Sequence, residues 1–460
     1  MFKTALFGGI PWLELPASCR VSAIARPIPG SEIRFEVWMP QAGWNGRVQG
    51  VGGGGLAGVI ERLSLALAIR RGYAAASTDT GHDADPGDGR WALNRPERIV
   101  DYGHRAIHEM TVNAKAVVGA YYGREPDYAY FSGCSNGGRQ ALMEAQRYPE
   151  DYDGIVAGAP ALDGTGTLST WAWNQQVIRA APDGLALKKK LPLIEGAVLA
   201  ACDADDGVSD GVVDDPRRCA FDPESLLCAA RDGGCLTRSQ VDVLKKLSAG
   251  PGPLQGYRHF GLEPGGQTGL GGWRDLFDGW FGKSGQYNYV HEFYRYLTYH
   301  DPDWSIADFE FAHDRLEMQR RLGPIIDATD PDLSEFVARG GKLILYHGWS
   351  DVALPPRITV DYYERVRESL GEAADDAVRL YMAPGMQHCA FGPGPNSFGQ
   401  ILPGGGEAPD RNVHAALEAW VERSEAPQRI VAGKYDGDIR GVIAPDPERL
   451  LRTRPLCPYP

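Results

Sequence analysis

Three features are missing from this 460-residue sequence, and each absence argues against one class of protein. No uninterrupted apolar run approaches the roughly 20 residues that a membrane-spanning helix needs. No basic cluster is longer than Lys188–Lys190, and the net charge is −13. We therefore expect neither nucleic acid nor an anionic membrane as a partner, because little in the chain would neutralise phosphates. No C-x-x-C pair is present, which argues against a cysteine zinc site.

Cysteine, by contrast, is present in an even number of eight. Cys202 and Cys219 form one close pair in sequence, and Cys228 and Cys235 form another. This pattern suits disulfides better than metal ligands, and disulfides indicate an oxidising compartment. We expect a secreted or periplasmic protein whose leader is not present in this chain, since the start lacks an apolar core and an A-x-A site. The alternative is a cytosolic protein with eight free thiols.

Strand and helix patterns alternate along much of the chain. Apolar and polar residues alternate over 33–40, which predicts an antiparallel strand. The later alternation predicts an α/β fold, a mostly parallel sheet with helices on both faces. The further predicted strands lie within 46–58, 72–81, 128–132, 154–158, 340–351 and 378–382, and the predicted helices cover 104–121, 137–148, 357–370 and 411–423.

The alternation is interrupted between residues 162 and 335. This stretch holds four of the eight cysteines and glycine-rich segments such as GLEPGGQTGLGGW, and it shows no clear succession of strands and helices. We predict an insertion with its own structure over 162–335, within a core domain made of 1–161 and 336–460.

The five residues Gly133-Cys134-Ser135-Asn136-Gly137 fit the pattern G-x-S-x-G between a predicted strand and a predicted helix. The strained turn of such a motif has no room for side chains at its glycines, and it exposes the serine hydroxyl at the carboxyl edge of a sheet. The backbone N–H of Asn136 lies where a developing oxyanion could be bound. By itself the motif is weak, and a glycine turn with a capping serine is the alternative.

A nucleophilic serine needs a base and an acid that orients the base. In this architecture the partners follow in the order serine, acid, histidine. Asp351 comes just after the predicted strand 342–346, and His388 lies six residues beyond the strand 378–382. Motif, flanking elements and partners together predict a serine hydrolase with Ser135, Asp351 and His388 as its catalytic residues.

Each of two cysteines is adjacent to one of these residues. Cys134 precedes Ser135 and Cys389 follows His388. A disulfide between them would tie nucleophile and base together, and the chain-entropy model assigns it about 5 kcal/mol for a loop of this length. Two buried free thiols are the alternative.

The segments GCSNGGRQAL, HGWSD and GMQHC resemble the tannase and feruloyl esterase family, which also includes a hydrolase of terephthalate monoesters. The resemblance extends from IRFEVWMPQAGWNGR to RPLCPYP. It implies an α/β-hydrolase core with a large inserted lid, with Ser135 as nucleophile, Asp351 as orienting acid and His388 as general base. Cys19 and Cys457 have no obvious partner in this scheme.

The substrate that the resemblance implies is a small ester of an aromatic carboxylic acid, cleaved through an acyl-enzyme. Feruloyl-type esters of hydroxycinnamic acids are the first expectation, and gallate esters or terephthalate monoesters are the alternatives. A protein of another class, a non-catalytic calcium-dependent binding module on the same fold, is also considered. The intact set of serine, aspartate and histidine argues against it.

The acidic segment CDADDGVSDGVVDD, residues 202–215, resembles the calcium loop of the family. That resemblance implies a structural Ca²⁺ held by the carboxylates of Asp203, Asp206 and Asp210 and by the carbonyls of Val208 and Val212. Such oxygen ligands are what calcium prefers. The first close cysteine pair would close the loop. A solvated acidic turn is the alternative.

The glycine run Gly52–Gly55 lacks the Lys-Ser/Thr that a phosphate-binding loop requires. It lies where α/β-hydrolases place the second oxyanion donor, and we assign that donor to the N–H of Gly54. His82 and His347 lie near the predicted active edge and are interpreted as structural. Among the lid aromatics, the candidates to stack on a substrate ring are Trp171, Trp173, Trp273 and Trp280.

Overall fold

The computed structural model describes residues 15–229, 234–278, 284–401, 406–437 and 445–460. An eight-stranded sheet forms its centre, with the strand order β1-β2-β4-β3-β5-β6-β7-β8. The eight strands are β1 (Ser18–Ala25), β2 (Ile33–Pro40), β3 (Arg47–Val51), β4 (Ala74–Thr78), β5 (Tyr128–Cys134), β6 (Gly154–Gly158), β7 (Lys342–Gly348) and β8 (Val378–Ala383).

The first two strands of the sheet run antiparallel to their neighbours, whereas β4, β3, β5, β6, β7 and β8 are mutually parallel. The carboxyl ends of six strands therefore meet at one edge, which is where open α/β sheets place their ligands. The strand order and the covering helices are those of an α/β-hydrolase core, as the sequence predicted.

Helices cover both faces of this sheet. Helices α3, α4 and α11 pack on the face that buries Phe131, and helices α1 and α13 pack on the face that buries Tyr130. The helices are α1 (Arg62–Arg70), α2 (Pro96–Val100), α3 (Ala106–Tyr122), α4 (Asn136–Arg147), α5 (Gly164–Ala180), α6 (Leu191–Cys202), α7 (Arg238–Ala249), α8 (Gly285–Glu292), α9 (Phe311–Ile326), α10 (Ser334–Ala338), α11 (Arg357–Leu370), α12 (Ala373–Ala377) and α13 (Val413–Arg423).

Shorter helical turns connect several of these elements. A π-helical turn, Asp101–Arg105, joins α2 to α3, and a second one, Phe293–Thr298, follows α8. The 3₁₀ turns are Arg90–Ala92, Gly184–Lys190, Pro216–Arg218, Pro223–Leu226, Trp273–Leu276, Ile306–Asp308 and Pro447–Arg449. Within the described ranges, no helix is both long and apolar enough to cross a membrane.

The segment between β6 and β7 is the insertion, and its described part contains α5 to α10 but no strand. One apolar cluster, which includes Ile194, Leu244 and Trp273, forms largely within the insertion. A second cluster joins Leu168 and Tyr294 of the insertion to residues that precede β5. The domain boundaries remain predictions, and the second one, after residue 335, falls inside α10.

A second sheet of two antiparallel strands, β9 (Ile430–Tyr435) and β10 (Leu450–Leu456), lies near the carboxyl terminus. The sequence did not predict these strands, nor β1 or α1. The predicted strand 128–132 continues to Cys134, so it leads directly into the turn at Ser135.

The structure contains three disulfides, Cys134–Cys389, Cys202–Cys219 and Cys228–Cys235. They are the three pairs that the sequence analysis considered. Cys19 is a free, half-buried thiol and Cys457 is a free, exposed one.

Candidate active site

Ser135 lies at the turn between β5 and α4 and has a positive φ of 65°. A non-glycine residue in that region is strained by about 1–3 kcal/mol and persists only where the surroundings enforce it. A Cβ atom at Gly133 would lie 2.5 Å from the carbonyl oxygen of Gly137, and one at Gly137 would lie 3.1 Å from the carbonyl carbon of Gly52. The pattern G-x-S-x-G is thus explained by steric exclusion.

Two further glycine contacts hold α4 against its neighbours. A Cβ atom at Gly138 would lie 2.4 Å from the carbonyl oxygen of Gly158, at the end of β6. A Cβ atom at Gly52 would lie 2.7 Å from the Cα atom of Gly137. The amino terminus of α4 therefore packs directly on the loop after β3 and on the end of β6, and its N–H groups are placed at the carboxyl edge of the sheet.

Asp351 and His388 follow β7 and β8, and the structure brings them together. The Nδ1 atom of His388 lies 2.7 Å from Oδ2 of Asp351. The Oδ1 atom of Asp351 accepts the backbone N–H groups of Ala353 at 2.8 Å and Leu354 at 2.9 Å. Because a carboxylate only accepts hydrogen bonds, Nδ1 of His388 carries the proton and Nε2 keeps its lone pair.

The pKa values of this pair are shifted in the directions that a base and its orienting acid need. Burial alone would raise the pKa of Asp351, but the charge of His388 and hydrogen bonds from His347 and His388 bring it well below its usual range. Burial lowers the pKa of His388, whereas the charge of Asp351 and its hydrogen bond raise it. The charge of Asp275 raises it further, so the pKa of His388 lies above its usual value.

The Cys134–Cys389 disulfide joins the residue before Ser135 to the residue after His388. Its two Cα atoms are 6.0 Å apart, and the cysteines are 255 residues apart in sequence. Cys389 itself has a positive φ of 62°, so the loop after β8 is also held in an unusual backbone conformation. The turn at Ser135 and the loop of His388 are thereby joined through a covalent link.

The side chain of Asn136, the first residue of α4, connects that helix to the glycine loop. Its Oδ1 atom accepts from Nε of Arg139 at 2.8 Å and from the hydroxyl of Tyr102 at 3.1 Å. Its Nδ2 atom donates to the carbonyl of Gly53 at 3.4 Å, and the N–H of Gly53 donates to Oε1 of Gln140 at 3.0 Å. Helix α4 and the glycine loop thus form one hydrogen-bonded unit around Ser135.

Gly54 lies in this loop and lines the same cavity as Ser135. A Cβ atom at Gly54 would meet nothing within 4 Å, whereas one at Gly55, where φ is 57°, would lie 2.4 Å from the hydroxyl of Tyr289. The Gly54 N–H interacts with the carboxylate of Glu61. Burial raises the pKa of Glu61, and the hydrogen bond from Gly54 partly opposes that rise. The N–H that the sequence analysis assigned to the oxyanion thus already interacts with a carboxylate that sequence reasoning missed.

Ser135 and His388 line a cavity of about 1220 Å³ at the carboxyl edge of the sheet. Its volume is generous for a small-molecule site. The insertion forms one side of the cavity with Thr167, Leu168, Trp171, Gln286, Tyr289 and Phe293. Tertiary contacts therefore place aromatic and apolar side chains of the insertion in the same cavity as Ser135.

The lid tryptophans have different environments. Trp171 lines the cavity, and its Nε1 donates to the carbonyl of Ala353 at 2.7 Å, beside the Asp351 loop. Trp273 is buried in the apolar cluster of the insertion. Trp280 lies outside the described residues. Trp173 packs against the second apolar cluster, and Trp171 is the candidate that lines the cavity together with Ser135.

Asp275, from the 3₁₀ turn Trp273–Leu276, also lines the cavity. Burial raises its pKa, while the charge of His388 and the N–H of Gly285 lower it. This lid carboxylate is close enough to His388 to raise the pKa of the imidazole in return. Sequence reasoning missed it because no local pattern relates residue 275 to residue 388.

In the acidic loop, Asp203 organises the backbone. Its Oδ1 atom accepts the N–H groups of Asp210 at 3.1 Å, Gly211 at 2.9 Å and Val212 at 3.1 Å. The loop is closed by the Cys202–Cys219 disulfide. The chain after Asp203 is thus folded back over this carboxylate.

The other two aspartates of the loop pair with arginines of β10. Asp206 Oδ2 lies 2.5 Å from Nη2 of Arg454, and Asp210 Oδ2 lies 2.8 Å from Nη1 of Arg452. The Oδ1 atom of Asp210 is buried without a hydrogen-bond partner. Among the residues described, no three or more His, Cys, Asp or Glu side chains are arranged to hold a metal ion.

Comparison with known proteins identifies relatives over nearly the whole chain. The family model for tannase and feruloyl esterase matches residues 19–460. An uncharacterized esterase of Xanthomonas campestris pv. campestris is 43% identical over 97% of this chain and 81% of its own length. The mono(2-hydroxyethyl) terephthalate hydrolase of Piscinibacter sakaiensis is 35% identical over 97% of this chain and 82% of its own. The crystal structure of feruloyl esterase B from Aspergillus oryzae superposes with a TM-score of 0.86 at 28% identity, covering 96% of this chain and 87% of that one.

Proposed function

The chain belongs to the tannase and feruloyl esterase family, and from that premise we propose that it is a serine esterase that hydrolyses esters of hydroxycinnamic, feruloyl-type acids. The observation that carries the proposal is the hydrogen bond of 2.7 Å between His388 and Asp351. The Cys134–Cys389 disulfide joins the loop of His388 to the strained turn at Ser135. A base, its orienting acid and a half-buried hydroxyl at one cavity are the parts that acyl transfer requires.

In the first half of the reaction, Nε2 of His388 accepts the proton of the Ser135 hydroxyl as the oxygen attacks the ester carbonyl carbon. The carbonyl π electrons move to the oxygen, and the C–O bond to the alcohol then breaks. The alcohol leaves with the proton that His388 had taken. The acid part of the substrate is now esterified to Ser135. Asp351 stabilises the imidazolium while the proton is on His388.

In the second half, a water molecule repeats the attack on the acyl-enzyme. His388 accepts a proton from the water, the oxygen of that water bonds to the carbonyl carbon, and the bond to Ser135 breaks. The proton returns to the Ser135 oxygen and the free carboxylic acid leaves. Both halves pass through a tetrahedral oxyanion.

We assign the oxyanion to the backbone N–H of Asn136 and to that of Gly54. The first lies at the amino terminus of α4, where N–H groups have no partner within the helix. The second interacts with Glu61 and would have to leave that carboxylate to bind the oxyanion. Typical losses for removing one such donor are about 10²–10³ in kcat.

The roof of the cavity supports an aromatic acid as the substrate. Trp171, Tyr289 and Phe293 offer ring faces and edges, which stack favourably on another ring. Asp275 adds a negative charge beside His388. A ring that carries hydroxyl donors suits this carboxylate, whereas a second carboxylate on the acyl group would be repelled. We therefore place feruloyl-type and gallate esters ahead of terephthalate monoesters.

A three-ester panel tests this order. We expect kcat/KM to be highest for methyl ferulate, lower for methyl gallate and lowest for mono(2-hydroxyethyl) terephthalate, measured at one pH and ionic strength. The Ser135→Ala variant is the control for background hydrolysis. The opposite order would overturn the assignment of substrate class. No turnover of p-nitrophenyl acetate would favour the non-catalytic binding module instead.

We also propose that the acidic loop binds a structural calcium ion. The carboxylates of Asp203, Asp206 and Asp210 and the carbonyls of Val208 and Val212 would hold it, since the donors are all oxygen and one buried carboxylate oxygen of Asp210 lacks a partner. The ion would neutralise the loop in place of the present pairing with arginines. It takes no part in the chemistry at Ser135.

The three disulfides support export to an oxidising compartment. We propose that the protein acts outside the cytoplasm. Expression with and without a secretion leader, followed by counting of free thiols, tests this: two free thiols are expected after export. Full activity with eight free thiols would contradict it.

A further inference from the structure

His347 is the penultimate residue of β7, and its ring is fully buried. Its Nε2 atom lies 3.0 Å from Oδ2 of Asp351 and 3.1 Å from the carbonyl oxygen of Leu354. Its Nδ1 atom lies 2.8 Å from the hydroxyl of Thr359, in the first turn of α11. Both ring nitrogens therefore have polar partners in a closed environment.

These partners determine which nitrogen carries the proton. The Asp351 carboxylate and the Leu354 carbonyl can only accept, so Nε2 of His347 must be the donor. In the neutral ring Nδ1 then has a lone pair, and it accepts the hydrogen of the Thr359 hydroxyl. Thr359 is itself completely buried, so its hydroxyl has few other partners to choose from.

The carboxylate of Asp351 is consequently held between two imidazoles that share one oxygen. Oδ2 accepts from His347 and from His388, while Oδ1 accepts two backbone N–H groups. Each donor favours the ionised carboxylate and restricts its rotation. The two histidines differ in one respect: His388 lines the cavity, and His347 is not among the residues that line it.

We propose that His347 is a positioning residue for the esterase reaction, which orients Asp351 toward His388 through the Nε2–H···Oδ2 hydrogen bond and is itself held in the right tautomer by Thr359. The inference rests on the proposed serine-esterase function but not on the identity of the acid. Without His347, Oδ2 keeps only His388, so the two backbone N–H groups at Oδ1 are the only other groups that hold the carboxylate in the geometry that aligns the base. Misplacement of about 1 Å in such a site can cost a hundredfold.

The test compares His347→Leu, which removes the donor, with His347→Gln, whose amide nitrogen can reach the position of Nε2. Rates are measured with p-nitrophenyl acetate and divided by the concentration of sites titrated with a sulfonyl fluoride, so that misfolded protein does not count. We expect kcat per site to fall about tenfold to a hundredfold in His347→Leu with KM changed less than about twofold. His347→Gln should recover most of the loss.

A purely structural role predicts a different result. It would lower the titrated fraction and the melting temperature but leave kcat per site unchanged, and glutamine would not rescue more than leucine. Either outcome would overturn the proposal. If His347→Leu does not fold, Thr359→Val carries the test, and we expect a fewfold loss of kcat per site. An unchanged kcat in a folded Thr359→Val variant would then count against it.

A thermodynamic cycle with Asp351→Asn tests whether the effect of His347 on kcat depends on the Asp351 carboxylate. In that background the carboxylate is gone, so leucine and glutamine at position 347 should give equal kcat per site. A persistent difference would mean that His347 acts by another route. Failure of the serine-esterase function itself would show separately, as retained activity in Ser135→Ala.

Discussion

The sheet and the insertion are stabilised and used in different ways. In the sheet, six parallel strands bury apolar side chains on both faces, and Ser135, Asp351 and His388 all follow strand ends. The described insertion has no strand and relies on helices, two local disulfides and ion pairs. Residues of both regions line one cavity. On the proposed function, the sheet would supply the reacting groups and the insertion would select the substrate.

The largest expected effect tests the sheet alone. Ser135→Ala should lower kcat by a thousandfold or more and leave the melting temperature nearly unchanged, because the half-exposed hydroxyl contributes little to folding. Initial rates on methyl ferulate and a thermal melt measure the two quantities. Retention of more than about a thousandth of the activity would mean that another residue is the nucleophile.

A second experiment compares one disulfide from each region. Cys134→Ala combined with Cys389→Ala should lower kcat about tenfold to a hundredfold, because the His388 loop is no longer fixed to the turn at Ser135. Cys202→Ala combined with Cys219→Ala, the matched control in the insertion, should lower the melting temperature but keep kcat at low temperature. Equal kcat values in the two double variants would contradict the division between regions.

Chelation addresses the insertion through its acidic loop. If calcium is bound, EDTA should lower the melting temperature by a few degrees, and added calcium should restore it. The kcat at low temperature should stay constant, because the loop does not line the cavity. An Asp203→Asn variant should abolish the response. No shift in either direction would favour the arginine pairing seen at Asp206 and Asp210 as the loop's only charge compensation.

The smallest expected effect concerns Asp275 of the insertion, whose charge acts on His388, a residue that follows the sheet strand β8. Asp275 raises the pKa of His388, and His388 must be neutral to act as base, so activity rises as pH increases through that pKa. Removing the charge in Asp275→Asn lowers the pKa of His388, and the ascending limb of kcat/KM should move to lower pH. Full pH profiles for both proteins measure the shift.

Asp278→Asn is the control for this experiment. Its carboxylate belongs to the same part of the lid but is committed to Lys188 and Arg274. We expect the pH profile of this variant to coincide with that of the unaltered protein. A shift of equal size in both variants would indicate a general effect of lid charge, and no shift in Asp275→Asn would place the carboxylate too far from His388 to matter.

Much of the sheet was predictable because buried parallel strands appear as short apolar runs between turn residues. The strand 154–158 and the helix 357–370 match the structure residue for residue. The edge strand β1 was missed because none of its eight residues is buried and its pairing with β2 is what makes it a strand. Helix α5 begins with Gly-Thr-Gly-Thr, a poor helix-forming sequence, and its packing overrides that preference.

The sequence by itself determined the features that depend on neighbours along the chain. The serine turn, the order of acid and histidine, and the cysteines next to Ser135 and His388 are local patterns. They can be recognised in the sequence because local sterics and covalent geometry require particular residues at particular positions. Only the tertiary structure decided which distant groups surround them. His347 behind Asp351, Asp275 beside His388, Glu61 opposite the Gly54 N–H and the arginines on the acidic loop are contacts through space, and the packing of the lid and strands sets their distances.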